Sequence, residues 1–214
     1  MEPMEQLQEA LLSLDGVRAG DAAQAVIDSG TDPVEALDAV MASLRKVGEG
    51  YAKGDLFLPA LLLSAKAAQA ALAIIEPEIK RTDQHVDRKG TVVIGTVFGD
   101  LHSIGKSMVG VMLTANGFEV IDLGINVPAE KFVEAVKEHE PDILALSALL
   151  TTTAPEQGRV IQALIEAGVR DRVKVIVGGG AINPEFAQRI NADGYAASAP
   201  EAAAAAHELI SAKG

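Results

Sequence analysis

From the N-terminus to about Ile79, apolar residues recur at three- and four-residue intervals, as in Leu7, Leu11 and Leu12 and again in Val34, Leu37, Val40, Met41 and Leu44. That spacing lays a stripe along one side of an α-helix. Turn formers and N-capping residues break the pattern at Asp15-Gly16, at Ser29-Gly30-Thr31-Asp32-Pro33 and at Gly54-Asp55, which predicts four helices. With such short loops they form a compact antiparallel bundle.

The stretch KRTDQHVDRK, residues 80–89, is charged and lacks apolar periodicity, so it reads as a linker. We place a helical domain at 1–82, a linker at 83–89 and a second domain at 90–214. In the second domain the apolar runs TVVIGTV, FEVIDLG, DILALSA, VKVIVGG and a short GYAA alternate with amphipathic stretches. This is the pattern of helices covering a parallel sheet of five strands. The intervening helices are predicted over 103–116, 128–139, 155–167, 184–190 and 200–212, with proline near several starts and glycine past several ends. The expected fold is an N-terminal four-helix bundle followed by a Rossmann-like (flavodoxin-like) α/β domain. Such a sheet takes its ligand beyond the carboxyl ends of the strands.

Composition narrows the function. Apolar residues make up 49% of the 214, enough for a substantial core, while 18 basic against 30 acidic residues leave a net charge of -12. That charge repels phosphates, so nucleic acid and anionic membrane surfaces are poor partners. The N-terminus does not read as a secretory signal, and Ser64, Lys66 and Gln69 interrupt the longest apolar segment, which argues against a membrane span. The chain has no cysteine, so thiolate chemistry and disulfides are excluded; a cytoplasmic location is expected.

The chemistry concentrates in the loops after the strands. Strand TVVIGTV runs into Gly99-Asp100-Leu101-His102-Ser103-Ile104-Gly105. A carboxylate two residues before a histidine can fix its tautomer and leave the other ring nitrogen free as base or metal ligand. After the third strand come the hydroxyls Ser147, Thr151, Thr152 and Thr153, more than one helix cap requires, which suits a polar ligand tail. Gly178-Gly179-Gly180 follows the fourth strand and lets a ligand or a neighbouring helix approach the backbone. Neither dinucleotide nor P-loop phosphate fingerprints are present. His85, His139 and His207 are expected to be solvated.

DLHSIG, then SAL after 41 residues, then GG after another 28, resembles the D-x-H-x-x-G, S-x-L, GG signature of cobalamin-binding domains. YAKGDLFLPALLLSAKAAQAAL looks like the helical cap of methionine synthase and of small corrinoid proteins in methyltransferase systems. GFEVIDLGINVPAEKFVEAV and PDILALSALLTTT look like the corrinoid proteins serving methylamine, methanol, betaine or methoxyaromatic demethylation. The resemblance covers nearly the whole chain.

The resemblance implies a cobalamin or related corrinoid bound base-off/His-on, with His102 as the cobalt ligand, Asp100 accepting its other ring proton, and Thr153 completing a relay where the family has serine. It further implies that Gly99, Leu101, Ser103 and Ile104 contact the corrin or its tail, that Ser147 and Thr151 meet the displaced nucleotide tail, that Gly105, Gly178 and Gly179 leave room for it, that the region from Tyr195 to Ala199 lines the far side, and that Leu149 is a further cofactor-binding residue. Phe57 and Leu61 would belong to the cap above the other cobalt face. The implied function is to carry a methyl group on cobalt, cycling between methyl-Co(III) and Co(I). The donor side is a substrate:corrinoid methyltransferase and the acceptor side a methylcorrinoid:acceptor methyltransferase using a folate or a thiol, with a reductive activase as a further partner. No complete catalytic site of the chain's own is visible. The rival readings are a cobalamin-dependent sensor or mutase subunit, and a metal-free receiver-like signalling domain; a sensor would need a basic recognition helix, and none is visible.

Overall fold

The computed structural model describes residues 2–82 and 88–212, except for the side chain of Lys80, so most of the expected linker, with His85, lies outside the described residues. The chain divides into two compact units, one helical and one α/β.

The helical unit consists of α1 (Pro3–Leu12), α2 (Gly16–Asp28), α3 (Pro33–Lys53) and α4 (Leu58–Arg81). The breaks fall where the sequence predicts them, for identifiable reasons. The Asp15 carboxylate accepts the Val17 and Arg18 N–H groups at the start of α2, and Asp32 accepts that of Val34 ahead of Pro33 in α3. Gly54, at φ +83°, closes α3 in the left-handed conformation that costs glycine least. Small residues let α2 and α4 approach closely: Gly16 lies over Lys66-Ala67 backbone and Gly20 over Ala70. Leu58–Ile79 is long and apolar enough, by length and composition alone, to cross a membrane. Its burial pattern is instead that of a core helix, with Leu61, Ser64, Ala67, Ala68, Ala71 and Ile75 buried at helical spacing and Gln69 exposed.

The α/β unit runs β1 (Thr91–Thr96), α5 (Ile104–Ala115), β2 (Glu119–Asp122), α6 (Ala129–His139), β3 (Ile143–Ser147), α7 (Ala154–Glu166), β4 (Lys174–Gly178), α8 (Pro184–Arg189), β5 (Gly194–Ala196) and α9 (Ala199–Ser211), with a 3-10 turn at Arg170–Arg172. All strand pairs are parallel, in the order β2-β1-β3-β4-β5. The central strands are near-continuous runs of Val, Ile and Leu because both their faces are covered. One face packs Val93, Leu144, Leu146, Val175 and Val177 under residues of α6, α7 and α8. The other packs Val92, Ile94, Ile143, Ala145 and Ile176 under residues of α5 and α9. Gly95 is required in β1 because a Cβ there would meet the Phe132 ring at 2.7 Å.

Strand order reverses between β1 and β3, and the loops after these two strands diverge at that point. The expectation that all the remaining histidines are solvated needs one correction. His139 is exposed, but His207 is half-buried, its ring tilted against Phe118 at 5.1 Å and its Nε2 3.3 Å from Lys89 Nζ. Burial, helped by the Lys89 charge, pulls its pKa below the usual imidazole value.

Candidate functional site

Asp100 is the hub of the loops at the switch point. It is fully buried, and its carboxylate accepts four hydrogen bonds. Oδ1 takes the His102 backbone N–H at 3.0 Å and His102 Nδ1 at 2.7 Å. Oδ2 takes the Leu149 N–H at 2.7 Å and the Thr153 hydroxyl at 2.6 Å. Burial alone would push this carboxyl up. The Thr153 hydroxyl, the two backbone amides and the imidazole outweigh it and hold the pKa well below the usual carboxylate range. One side chain therefore ties the loop after β1 to the loop after β3. Thr153, the N-cap residue of α7, makes no side-chain cap to its own helix: its hydroxyl donates to Asp100 and its oxygen accepts the Leu150 N–H at 3.3 Å.

With Asp100 ionised, its carboxylate favours the tautomer that carries the proton on Nδ1 and leaves the lone pair on Nε2. The His102 side chain is 52% exposed, so that lone pair is accessible. Other groups hold the loop still. Thr96 donates its hydroxyl to the His102 carbonyl at 3.0 Å. Asn126, in the left-handed region at φ 55°, accepts the Gly99 N–H at 2.7 Å and donates its own N–H to the Asp100 carbonyl at 3.0 Å. Lys106, buried beside Gly105, pairs with Asp122 at the end of β2.

Around His102 the surface is unusually apolar. Phe98, Leu101, Ile104, Ile125, Leu149 and Leu150 are all exposed, and all lie in the loops after β1, β2 and β3 or at the start of α5. Several large exposed apolar side chains in the loops at one sheet edge mark a candidate binding surface. Beside it runs a row of small residues. Register pairs Thr96 with Ser147, Ser147 with Gly178 and Gly178 with Ala196, and side-chain alternation puts all four on the face covered by α5 and α9. Ala199, Ala202, Ala203 and Ala206 of α9 are buried and equally small. The glycines differ in what they serve. A Cβ at Gly179, which sits at φ +124°, would lie 1.9 Å from the Ala148 carbonyl, and one at Gly178 would lie 2.7 Å from that of Ala196. One at Gly105 meets nothing within 4 Å. The first two are therefore needed by the fold itself, whereas the third leaves room for something else.

The residues expected from the sequence thus gather at one edge of the sheet: Gly99 to Gly105, Ser147, Leu149, Thr151, Thr153, Gly178, Gly179 and Ala199. In the helical unit, Phe57 is exposed just before α4 and Leu61 is fully buried. Thr96, Phe98, Lys106, Ile125, Asn126 and Leu150 were not singled out in advance. The available signal was large apolar residues just past strand ends, where loops are ordinarily polar. The edge suits a large ring ligand that packs against apolar side chains, can meet an imidazole and carries a tail able to lie over small residues. A corrinoid with its nucleotide tail has that chemistry.

Comparison with known proteins agrees. A B12 binding domain model matches residues 90–205, and a second B12 binding domain model matches residues 4–76. The trimethylamine corrinoid protein of Methanosarcina barkeri is 43% identical, covering 92% of this chain and 91% of its own length. Corrinoid protein DSY3155 of Desulfitobacterium hafniense is 39% identical over 98% of each. In the crystal structure of the methanol:cobalamin methyltransferase complex MtaBC from Methanosarcina barkeri, one chain matches with a TM-score of 0.86 at 32% identity, covering 98% of this chain and 80% of that one. With a domain model matching more than half of the sequence and relatives aligned along nearly all of it, the chain belongs to the B12-binding corrinoid proteins.

Proposed function

We propose that this chain carries a methyl group between two methyltransferases on a corrinoid bound base-off, with His102 Nε2 as the lower ligand. When bound, the corrinoid supplies a cobalt centre that accepts the methyl group and releases it. The protein's part is to hold and tune that centre. His102 presents Nε2, Asp100 holds Nδ1, and Thr153 holds Asp100. With a corrinoid bound, this chain of hydrogen bonds would hold the His102 ring in one orientation and tune its nitrogen as a ligand. Leu101, Ile104 and Leu149 meet the ring, Gly99 and Ser103 contact the ring or its tail from the same loop, and Gly105 leaves room for the tail. Ser147, Thr151, Gly178, Gly179 and Ala199 receive the displaced tail. Phe57, exposed just before α4, and the buried Leu61 would belong to the helical cover. The observation that carries this reading is the fully satisfied Asp100, which leaves His102 with one free, exposed nitrogen.

The partners are a substrate:corrinoid methyltransferase that loads the chain, an acceptor methyltransferase using a folate or thiol, and a reductive activase, all working in the cytoplasm. Methyl donors of the methylamine class fit the trimethylamine and dimethylamine relatives; methanol, betaine and methoxyaromatics remain in the same chemical set.

Electron paramagnetic resonance of the reconstituted cobalt(II) protein tests the ligand. Nitrogen-15 labelling of histidine should change the superhyperfine splitting, and His102→Ala should abolish the histidine coupling. A spectrum still split by the cofactor's own base would overturn His-on binding.

Gly105→Ala separates ligand space from folding. Gly105 is the second residue of α5, and a Cβ there touches nothing, so cofactor-free stability should hold or rise by up to about 1 kcal/mol. Cobalamin binding should weaken about tenfold or more, because the methyl occupies room the ligand requires. Unchanged affinity would show that the ligand does not approach Gly105.

A further inference from the structure

Gln157 lies in the first turn of α7 and is fully buried, on the face of the sheet opposite the row of small residues. Its side-chain amide donates to the Leu146 carbonyl at 3.0 Å and to the Gly178 carbonyl at 3.0 Å. Both of its N–H bonds are thus spent on the carboxyl ends of β3 and β4. Ser147 and Gly178, the register pair in the row of small residues, sit directly at those ends.

The Gln157 Oε1 has no hydrogen-bond partner among the described residues. A buried carbonyl left unpaired offsets much of what two neutral hydrogen bonds contribute, and an apolar side chain of the same length would fill the space at no such cost. Net stability therefore does not account for glutamine here; geometry does. Its two bonds brace the ends of β3 and β4 from one side, in addition to the backbone bond from the Ala148 N–H to the Gly178 carbonyl at 3.1 Å. Gln157 also stands one helical turn after Thr153, whose hydroxyl reaches Asp100. The start of α7 is therefore pinned at two points, to the histidine loop through Thr153 and to the two strand ends through Gln157.

We infer that Gln157 is a positioning residue for the nucleotide-tail slot, bracing the ends of β3 and β4 from the far side of the sheet and holding them in step with the Asp100-His102 pair. This rests on the corrinoid reading above. It predicts that loss of the clamp is felt by the tail and not by the ring.

The test uses the full chain with two probes, hydroxocobalamin, which has the nucleotide tail, and cobinamide, which lacks it. Gln157→Met keeps length and removes both donors. We expect cobalamin to bind about tenfold or more weaker, as for other outer-shell supports of a bound centre, with cobinamide affinity within about twofold and the urea midpoint of the cofactor-free protein close to wild type. Equal weakening of both probes, or unchanged cobalamin affinity, overturns the inference. Should Gln157→Met not fold, the side-chain amide resonances of wild-type Gln157 carry the test: they should shift with cobalamin and stay put with cobinamide, and the same shift with both overturns it. Wild-type protein that binds neither probe would instead sink the corrinoid reading itself.

Discussion

Asp100→Asn is expected to destabilise the cofactor-free protein by about 2–4 kcal/mol at neutral pH, because it breaks a fully satisfied buried acceptor. The carboxylate meets two donors on each oxygen, namely the backbone and ring N–H of His102 on one and the Leu149 N–H and Thr153 hydroxyl on the other. An asparagine can offer its one oxygen to one pair only. Its NH2 then confronts a fixed backbone N–H of the other pair, that of His102 or of Leu149, donor against donor in a place without access to water, even where the Thr153 hydroxyl turns to the Leu150 carbonyl or the His102 ring changes tautomer. Urea unfolding of the two proteins at pH 7 measures the difference, and a loss below about 0.5 kcal/mol would mean that the loops do not depend on this hub.

The same variant carries a pH signature. The folded-state pKa of Asp100 lies below its unfolded value, so its contribution is fully present above the unfolded carboxyl value near about pH 4. It is lost as pH falls towards the folded value, since the unfolded state takes up the proton first. The gap between wild type and Asp100→Asn should therefore be constant from pH 7 to about pH 5 and shrink steadily in more acid solution. A gap that widens on acidification would contradict the assignment. Comparing the two proteins cancels the other carboxylates.

This hub was legible in the sequence as far as the spacing of Asp100 and His102 and the hydroxyl at Thr153. The fold was legible further, because its punctuation is chemical: Asp15, Asp32, Pro33, Gly54 and Pro184 sit where helices must start or stop, and the strands are runs too apolar to face water. The row of hydroxyls was only half understood. Thr153 points inward to Asp100, while Thr151 and Thr152 are exposed, and a one-dimensional string does not separate them. Gln157 was invisible for a related reason. A glutamine in an amphipathic helix reads as a solvent-facing residue, and only the crossing of α7 over β3 and β4 turns it inward. Phe98, Ile125 and Leu150 merge in the sequence with the core residues beside them, and their exposure is a property of where the strands end. Asn126 acts across a gap of 27 residues on Gly99, a contact that requires the sheet to exist first.

The glycine pair at the end of β4, Gly178 and Gly179, gives the second large expectation, since sequence alone leaves open whether it makes way for a ligand or for the chain. Gly179→Ala should destabilise the cofactor-free α/β unit by about 3 kcal/mol or more. The substituted Cβ would fall 1.9 Å from the Ala148 oxygen and 2.6 Å from its carbon, at a φ of +124° that side chains disfavour. Backbone stands on both sides of this contact, so no rotamer change can relieve it; the turn after β4 must move away from the loop after β3. That movement would strain the Ala148 N–H to Gly178 carbonyl bond, 3.1 Å in the native unit, so exchange of the Ala148 amide should accelerate even where the unit remains folded. Cobalamin affinity should fall as well, because the displaced turn forms the rim next to Ser147. The contrast with Gly105→Ala is decisive: that substitution should spare the protein and harm binding, whereas Gly179→Ala should harm both. If Gly179→Ala left stability and Ala148 exchange at wild-type values while binding was lost, the glycine would be serving the ligand directly, and the tight packing of the two loops would not be what fixes the slot.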